Sequence, residues 1–180
     1  MKIQVIGVGR LGSQVAFNCL AFLKPEELWL DDVKDLTGDV LDLKHSARGL
    51  NLDTKIEAGL TENPDYIIIT AGMPRDPGNK DMNHLLDMNK KILNDILTKK
   101  INAETKSKII IVTNPTDVLT KWAKENFNKY EFYNNDEILL RYRDGKDCGW
   151  DVVRSKGYSS LAPALSIVEV IKKLKEGKPL

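Results

Sequence analysis

A glycine-rich turn between an apolar strand pattern and a helical pattern constrains this chain more than any other feature. Residues 2–6 read as a buried strand, residues 7–12 carry the turn Gly-Val-Gly-Arg-Leu-Gly, and residues 13–23 have the apolar spacing of a helix. A second apolar run follows, and Asp32 stands at its end, 20 residues beyond Gly12. A G-x-G-x-x-G turn in this context, with an acid at this distance, predicts a dinucleotide-binding βαβ unit.

Each part of this turn has a physical role. Gly7 permits the tight turn, Gly9 lets a pyrophosphate approach the backbone, and Gly12 lets the helix pack closely on the strand. The free N–H groups of the helix N-terminus face the phosphates. Asp32 would accept hydrogen bonds from the ribose hydroxyls. Its carboxylate would also repel a 2′-phosphate, which favours NAD over NADP. Lys34 could weaken that preference. The alternative is that Asp32 is an ordinary turn acid at a strand end.

Length and charge exclude several classes of protein. The chain has 180 residues, which suits one good-sized domain. Its 27 Lys and Arg residues nearly balance its 26 Asp and Glu residues, which argues against a nucleic-acid partner. No apolar run reaches the length of a membrane span. Because a core strand opens the chain, we expect no signal or transit peptide and a cytoplasmic location.

The cysteines and histidines do not suggest a metal site. Cys19 and Cys148 form no ligand cluster with His45 and His84 in the sequence. Cys19 lies on the apolar face of the first helical pattern, so we expect a reduced core residue there. No metal is therefore expected.

Strand and helix patterns alternate over most of the chain. The predicted strands are residues 2–6, 27–31, 55–58, 65–70 and 108–113, and the predicted helices are residues 13–23, 36–46, 84–99 and 116–124. The fourth and fifth strands are continuously apolar, as in a sheet covered on both faces. This alternation predicts an α/β fold of the Rossmann type, a doubly wound parallel sheet with strand order 3-2-1-4-5.

The pattern changes after residue 124, and we expect a short, mainly helical C-terminal appendage. Helices are predicted at residues 137–143 and 159–175, and a short strand or extended segment at residues 150–154. Helix caps are expected at residues 134–136, Asp117 and Ser159. The predicted boundary separates a dinucleotide-binding domain, residues 1–125, from residues 126–180.

Four segments together resemble the lactate/malate dehydrogenase family. They are residues 7–12 with Asp32, the run G-D-V-L-D-L-K-H at residues 38–45, the run I-T-A-G-M-P-R-D-P-G at residues 69–78, and V-T-N-P-T-D at residues 112–117. All four occur in the family's order. A further stretch, residues 149–160, resembles a segment near the end of the family's substrate domain, so residues 126–180 are interpreted as a remnant of that domain.

The resemblance implies NAD as the cofactor and assigns residues to its site. The implied cofactor contacts are Gly7, Gly9, Arg10, Leu11, Gly12, Asp32, Thr70, Ala71, Gly72 and Asn114. Asn114 would also meet the substrate, and Arg75 would contact the distal carboxylate of a small 2-oxo or 2-hydroxy dicarboxylic acid. Malate and oxaloacetate are therefore favoured over lactate and pyruvate. The family's second loop arginine is replaced by a stretch in which only Lys80 is basic, and lysine cannot reproduce a guanidinium fork.

The catalytic half of the family pattern is not found. In the family, a sixth strand, an L-D-x-x-R helix and a G-x-H-G loop follow the N-P-x-D segment, and we match none of them here. No histidine follows His84 in the sequence. His84 could replace the missing base, or it could be an exposed lid histidine. The missing piece amounts to on the order of a hundred residues, the size of a small domain.

These observations predict an NAD-dependent malate/lactate dehydrogenase homologue, with hydride transfer to a 2-oxo acid impaired or absent. The alternative is a non-catalytic NAD(H)-binding or assembly protein derived from a dehydrogenase, and a third possibility is a fragmentary product that folds poorly. Homo-oligomers are expected from the family and from apolar surface that the missing part would otherwise cover.

Overall fold

Strands and helices alternate along the chain in the computed structural model, which describes residues 1–74, 82–142 and 148–180. The strands are β1 (Lys2–Ile6), β2 (Glu27–Asp31), β3 (Lys55–Ala58), β4 (Tyr66–Ile69), β5 (Lys108–Ile111) and β6 (Glu131–Tyr133). The helices are α1 (Arg10–Leu23), α2 (Thr37–Gly49), α3 (Met82–Lys99), α4 (Thr116–Asn126), α5 (Asp136–Arg141), α6 (Cys148–Lys156) and α7 (Leu161–Lys175).

The strands form one parallel sheet in the order β3-β2-β1-β4-β5-β6. The predicted fold class and the order of the first five strands are confirmed. β1 lies in the middle of the sheet, where Ile3 pairs with Leu28 of β2 on one side and with Tyr66 of β4 on the other. The strand order reverses beside β1, and in open parallel sheets ligands bind at the carboxyl ends of the strands near such a reversal.

Alternate residues of each strand face two different helical layers. Ile3, Ile68 and Ile110 pack in a cluster with α1, α2, α5 and α7. Ile67 and Ile109 face the other side, where they pack with α3 and α4. Each fully buried side chain of this size contributes about 1.5–3 kcal/mol of transfer free energy, so the central strands anchor the fold from both faces.

The sixth strand corrects an expectation from the sequence. β6 pairs in parallel with β5, with Phe132 opposite Ile109. The strand has only three residues, Glu-Phe-Tyr, and lacks the long apolar run that marks β4 and β5. Tertiary packing stabilises it: the ring of Phe132 lies edge-on to Tyr130, at 6.0 Å between centroids, and Phe127 stacks on Tyr130 at 6.5 Å.

The C-terminal segment is more helical than predicted. Residues 150–154 belong to helix α6, so the predicted strand or extended segment there is wrong. Helix α7 packs beside α1, and its Ala164 and Ile167 are fully buried in the same cluster as β1. The boundary after residue 125 stays a prediction.

The cap predicted at residues 134–136 falls on the N-cap residue of α5, whereas the caps predicted at Asp117 and Ser159 are wrong. The N-cap residues of α4, α5 and α7 are Pro115, Asn135 and Ser160, and none of them has a side-chain cap hydrogen bond within the described residues. Asn135 is buried and its Nδ2 donates instead to Ser166 Oγ of α7 at 2.7 Å, because a buried amide needs a partner and α7 supplies one. Among the described parts of the chain, no helix is long and apolar enough to cross a membrane.

Candidate functional site

The predicted cofactor residues meet at the carboxyl ends of the parallel strands. Residues 7–12 follow β1, Asp32 follows β2, residues 70–72 follow β4, and Asn114 follows β5. Since these strands are parallel and adjacent, their ends lie at one edge of the sheet. Hydrogen bonds between the loops then fix these segments relative to one another.

The glycine turn fits tightly against the loop that follows β4. Gly7 has φ +94°, and a Cβ built on it would lie 2.3 Å from the backbone N of Ala71. A Cβ on Gly12 would lie 1.8 Å from the carbonyl oxygen of Gly7 and 2.7 Å from Thr70 Oγ1. Neither position has room for a side chain, and Gly7 also needs the left-handed backbone conformation that glycine adopts at low cost.

Gly9 lies in a different environment. Its backbone is extended, with φ −80° and ψ −160°, and it is the N-cap residue of α1. No atom of the described residues lies within 4 Å of a Cβ built on it, and among them no side chain caps the helix there. The open space and the uncapped N–H groups of the first turn form a cradle that suits an anionic group.

Asp32 connects the end of β2 to the glycine turn. Its Oδ2 accepts a hydrogen bond from the backbone N–H of Val8 at 2.5 Å, and its Oδ1 accepts one from Val33 at 2.7 Å. A carboxylate oxygen has about two acceptor sites, and Oδ1 also accepts from the backbone N–H of Lys34, so Oδ2 is the oxygen that keeps capacity for a hydroxyl of a ligand. The partly exposed carboxylate is thus held in one orientation beside the turn.

The loop after β4 bonds to its neighbours on both sides. The hydroxyl of Thr70 donates to the carbonyl of Gly7 at 2.5 Å, and the hydroxyl of Thr113 donates to the carbonyl of Ala71 at 2.8 Å. A Cβ on Gly72 would lie 2.3 Å from Thr113 Cγ2. These contacts link β1, β4 and β5 at the edge where the candidate site lies.

A buried amide that the sequence reasoning missed holds the far side of the site. Asn89 of α3 is fully buried; its Oδ1 accepts from the backbone N–H of Met73 and its Nδ2 donates to the carbonyl of Asn114, each at 2.7 Å. The signal was present in the sequence, because Asn89 occupies the buried stripe that continues through Leu93 and Ile96 at helical spacing. A polar residue on such a stripe needs partners.

The side chain of Asn114 is exposed while its backbone is fixed. The peptide bond between Asn114 and Pro115 is cis, and the carbonyl of Asn114 is bonded to Asn89 as described. Its side-chain Oδ1, in the loop that follows β5, accepts from the hydroxyl of Thr116 at 3.5 Å.

Arg10 and Leu11 occupy the first turn of α1 in different ways. Arg10 is exposed, and its guanidinium carbon lies 4.9 Å from the ring centroid of Tyr158. Leu11 is half-buried against the core cluster. The ammonium of Lys156 also lies over the Tyr158 ring, at 4.6 Å, so two cations gather around this aromatic side chain beside the glycine turn.

The catalytic predictions are tested least. Arg75 and Lys80 lie outside the described residues. His84 lies in the first turn of α3 and is exposed. Its role as a base stays a prediction.

Cys19 is fully buried, as predicted, and this burial raises the pKa of its thiol to about 12, which keeps it protonated.

Helix α5 follows β6, as the L-D-x-x-R helix follows the sixth strand in the family that the sequence resembles. Arg141 of α5 has Ile138 three positions before it, where that motif has aspartate. Ile138 is buried in the core, and Arg141 Nη1 lies 3.6 Å from Glu169 Oε1 of α7. The helix is thus present without the motif's acid.

Comparisons with known proteins agree with this geometry. Residues 1–132 match the family described as lactate/malate dehydrogenase, NAD binding domain. The chain is 40% identical over 126 residues to the malate dehydrogenase of Archaeoglobus fulgidus, a match that covers 67% of this chain and 42% of that protein. It is 35% identical over 163 residues to the L-lactate dehydrogenase of Kosmotoga olearia, covering 84% of this chain and 50% of that protein.

A solved structure superposes over nearly the whole chain. The malate dehydrogenase of Archaeoglobus fulgidus, in complex with NADH, matches with a TM-score of 0.79 and 27% identity, over 98% of this chain and 78% of that one. The chain spans half or less of the length of the curated relatives named above.

Proposed function

This chain belongs to the lactate/malate dehydrogenase family and carries its NAD binding domain, and from that premise we propose that the candidate site binds NAD(H) in a defined orientation. The adenosine ribose lies on Asp32, the pyrophosphate in the cradle at Gly9, and the nicotinamide beside Asn114. The bond from Val8 N–H to the Asp32 carboxylate carries this proposal, because it joins the ribose acceptor and the phosphate turn into one unit.

The chain's own groups fit the cofactor at each point. The open side of Gly9 and the free N–H groups of α1 suit two phosphates, and the exposed guanidinium of Arg10 adds a positive charge nearby. The tight packing of Gly7 and Gly12 keeps the turn rigid, so little ordering is needed on binding. Bound NADH supplies a hydride, and the protein's part is to orient the acceptor.

We propose a dicarboxylic 2-oxo acid as the substrate class, with malate and oxaloacetate favoured over lactate and pyruvate. Arg75 would meet the distal carboxylate, and Asn114 would contact the substrate next to the nicotinamide. Proton transfer to the carbonyl oxygen requires a general acid, and His45 and His84 are the only histidines of the chain. A positioned acid or base contributes about 10²–10⁴-fold to such reactions, so we expect very slow turnover by this chain alone.

A second candidate is a non-catalytic NAD(H)-binding or assembly protein. The observation that favours it is the sequence itself, which has no histidine after His84 and no match to the family's G-x-H-G loop. Both candidates share the same cofactor site, so NADH binding does not separate them. Measured turnover of a 2-oxo acid favours the enzyme, and binding without turnover favours the non-catalytic protein.

Self-association and a cytoplasmic location are further proposals. Large apolar side chains are exposed on α1, α5 and α7, among them Phe17, Leu140, Leu161 and Leu165. Apolar groups of this kind are common at interfaces between copies of a chain. Light scattering that shows a strict monomer at high concentration would contradict the homo-oligomer.

The decisive experiment is a calorimetric NADH titration of the chain and of Asp32→Ala, followed by addition of oxaloacetate. We expect clear binding by the parent chain and a loss of about 1–3 kcal/mol in the variant, the effect of removing a charged acceptor. Equal affinities would refute the ribose assignment. Turnover on the order of 10 per second or more would refute impaired catalysis, and loss of that turnover in His84→Ala would identify His84 as the base.

A further inference from the structure

The loop between β2 and α2 brings a lysine directly to the proposed ribose site. The Asp32 carboxylate accepts a second bond at Oδ1, from the backbone N–H of Lys34 at 3.3 Å. The side chain of Lys34 therefore starts beside the carboxylate that would hold the ribose diol. Its ammonium lies 2.9 Å from Oδ2 of Asp39, in the first turn of α2.

We propose that Asp39 enforces a preference for NAD over NADP by holding Lys34 away from the position that a 2′-phosphate would take. This inference rests on the assignment of the adenosine ribose to Asp32. It assigns to Asp39 a role in specificity, with NADP(H) as the ligand that it excludes.

The charges of the loop support this role. A phosphate monoester adds about 1.5–2 negative charges at neutral pH, so its binding needs a cation that is free to move toward it. Lysine carries a compact charge on a flexible stem and could reach a group beside its own backbone. Three carboxylates surround the one ammonium: Asp32 and Asp35 of the loop and Asp39 of α2 together with Lys34 carry a net charge of two negative units.

The position of Asp39 suits a carboxylate that holds a lysine. It lies in the first turn of α2, where the helix dipole favours an anion, and its side chain is 22% exposed against 47% for Lys34. The start of α2 is fixed by Asp35, whose Oδ1 accepts bonds from both the N–H and the hydroxyl of Thr37, at 3.0 and 2.7 Å. The helix thus presents Asp39 to Lys34 from a defined position.

Asp35 also provides a matched control. It lies in the same loop, and the hydrogen bonds from Thr37 lower the pKa of its carboxyl, so it is charged at neutral pH. Its described bonds go to Thr37, whereas those of Asp39 go to Lys34. Asp35→Asn and Asp39→Asn each remove one negative charge, from two positions four residues apart, and only the second releases the lysine.

The test is a titration of NADPH and of NADH with the full chain and its variants, in which the fluorescence of the reduced nicotinamide reports binding. In Asp39→Asn we expect NADPH affinity to rise about twofold to fivefold, the effect of one charge pair near a surface, with NADH affinity close to that of the parent. The gain in NADPH affinity should be smaller in about 0.5 M salt, because salt screens the exposed attraction between Lys34 and the 2′-phosphate. Lys34→Met in the Asp39→Asn background should abolish it.

Three results would overturn the proposal. NADPH affinity unchanged in Asp39→Asn, with NADH binding intact, refutes the role of Asp39 and leaves the proposed function standing. An equal gain in Asp35→Asn shows that net charge alone acts, without release of Lys34. Failure of the parent chain to bind NADH at all refutes the proposed function and this inference together.

Discussion

The two ends of the candidate site are built in different ways. The end that we propose for the adenosine, at β1 and β2, is local: the glycine turn and Asp32 follow their strands directly and bond to each other through Val8. The end that we propose for the nicotinamide, at β4 and β5, depends on Asn89, which reaches in from the middle of α3. A site that is local in sequence can be recognised from a motif, whereas a polar residue on a buried helical stripe indicates only that partners exist, and the fold is needed to identify them.

The largest effect is expected at the adenosine end, from Gly12→Ala. The added methyl would lie 1.8 Å from the carbonyl oxygen of Gly7, a backbone atom that cannot move without displacing the turn. Overpacking in a well-packed site costs about 1–3 kcal/mol and occasionally more, and we expect at least the upper figure here. Denaturant unfolding should show this loss together with loss of NADH binding.

Gly38→Ala is the matched control for this variant. Gly38 also lies in a helix, and no atom of the described residues comes within 4 Å of a Cβ built on it. Its free energy of unfolding should stay equal or rise slightly, and its NADH affinity should be unchanged. If Gly12→Ala unfolded at the same denaturant concentration as Gly38→Ala, the close packing of α1 on β1 would not be needed for the fold.

A smaller and more selective effect is expected at the nicotinamide end, from Asn89→Ala. The substitution removes two partly buried hydrogen bonds, one from the N–H of Met73 and one to the carbonyl of Asn114, and each such bond contributes about 0.5–1.5 kcal/mol. We expect a loss of stability of about 1–3 kcal/mol, weaker NADH binding, and ADP binding close to that of the parent chain.

Asn94→Ala controls for the residue type and the helix, because Asn94 lies on α3 and is exposed. It should change neither stability nor binding. Equal losses of ADP and NADH affinity in Asn89→Ala would mean that the two ends of the site are not independent.

The same contrast explains how much could be predicted from the sequence. The glycine turn, Asp32 and the continuous apolar strands β4 and β5 each carry a local signal, and the sheet around them follows the predicted order. β6 has three residues, and its Phe132 is buried through aromatic packing that no local pattern announces. Asn135 is the N-cap residue of α5, as its sequence position predicts, yet its side chain bonds to Ser166, 31 residues away. Long-range partners decided these positions.

Gly9→Ala should have the smallest effect on the fold while still weakening the cofactor site, which makes it the sharpest test of the adenosine end. Its extended backbone suits alanine, and the space around a Cβ is open among the described residues, so the free energy of unfolding should stay equal or rise by about 0.4–1 kcal/mol, as for other unstrained Gly→Ala changes. The methyl would occupy the cradle proposed for the pyrophosphate, so NADH affinity should fall about tenfold, equivalent to about 1.4 kcal/mol. Gly38→Ala should share the stability change and lack the binding change. If NADH bound Gly9→Ala and Gly38→Ala equally well, the phosphates would not lie against Gly9, and the open space there would need another explanation.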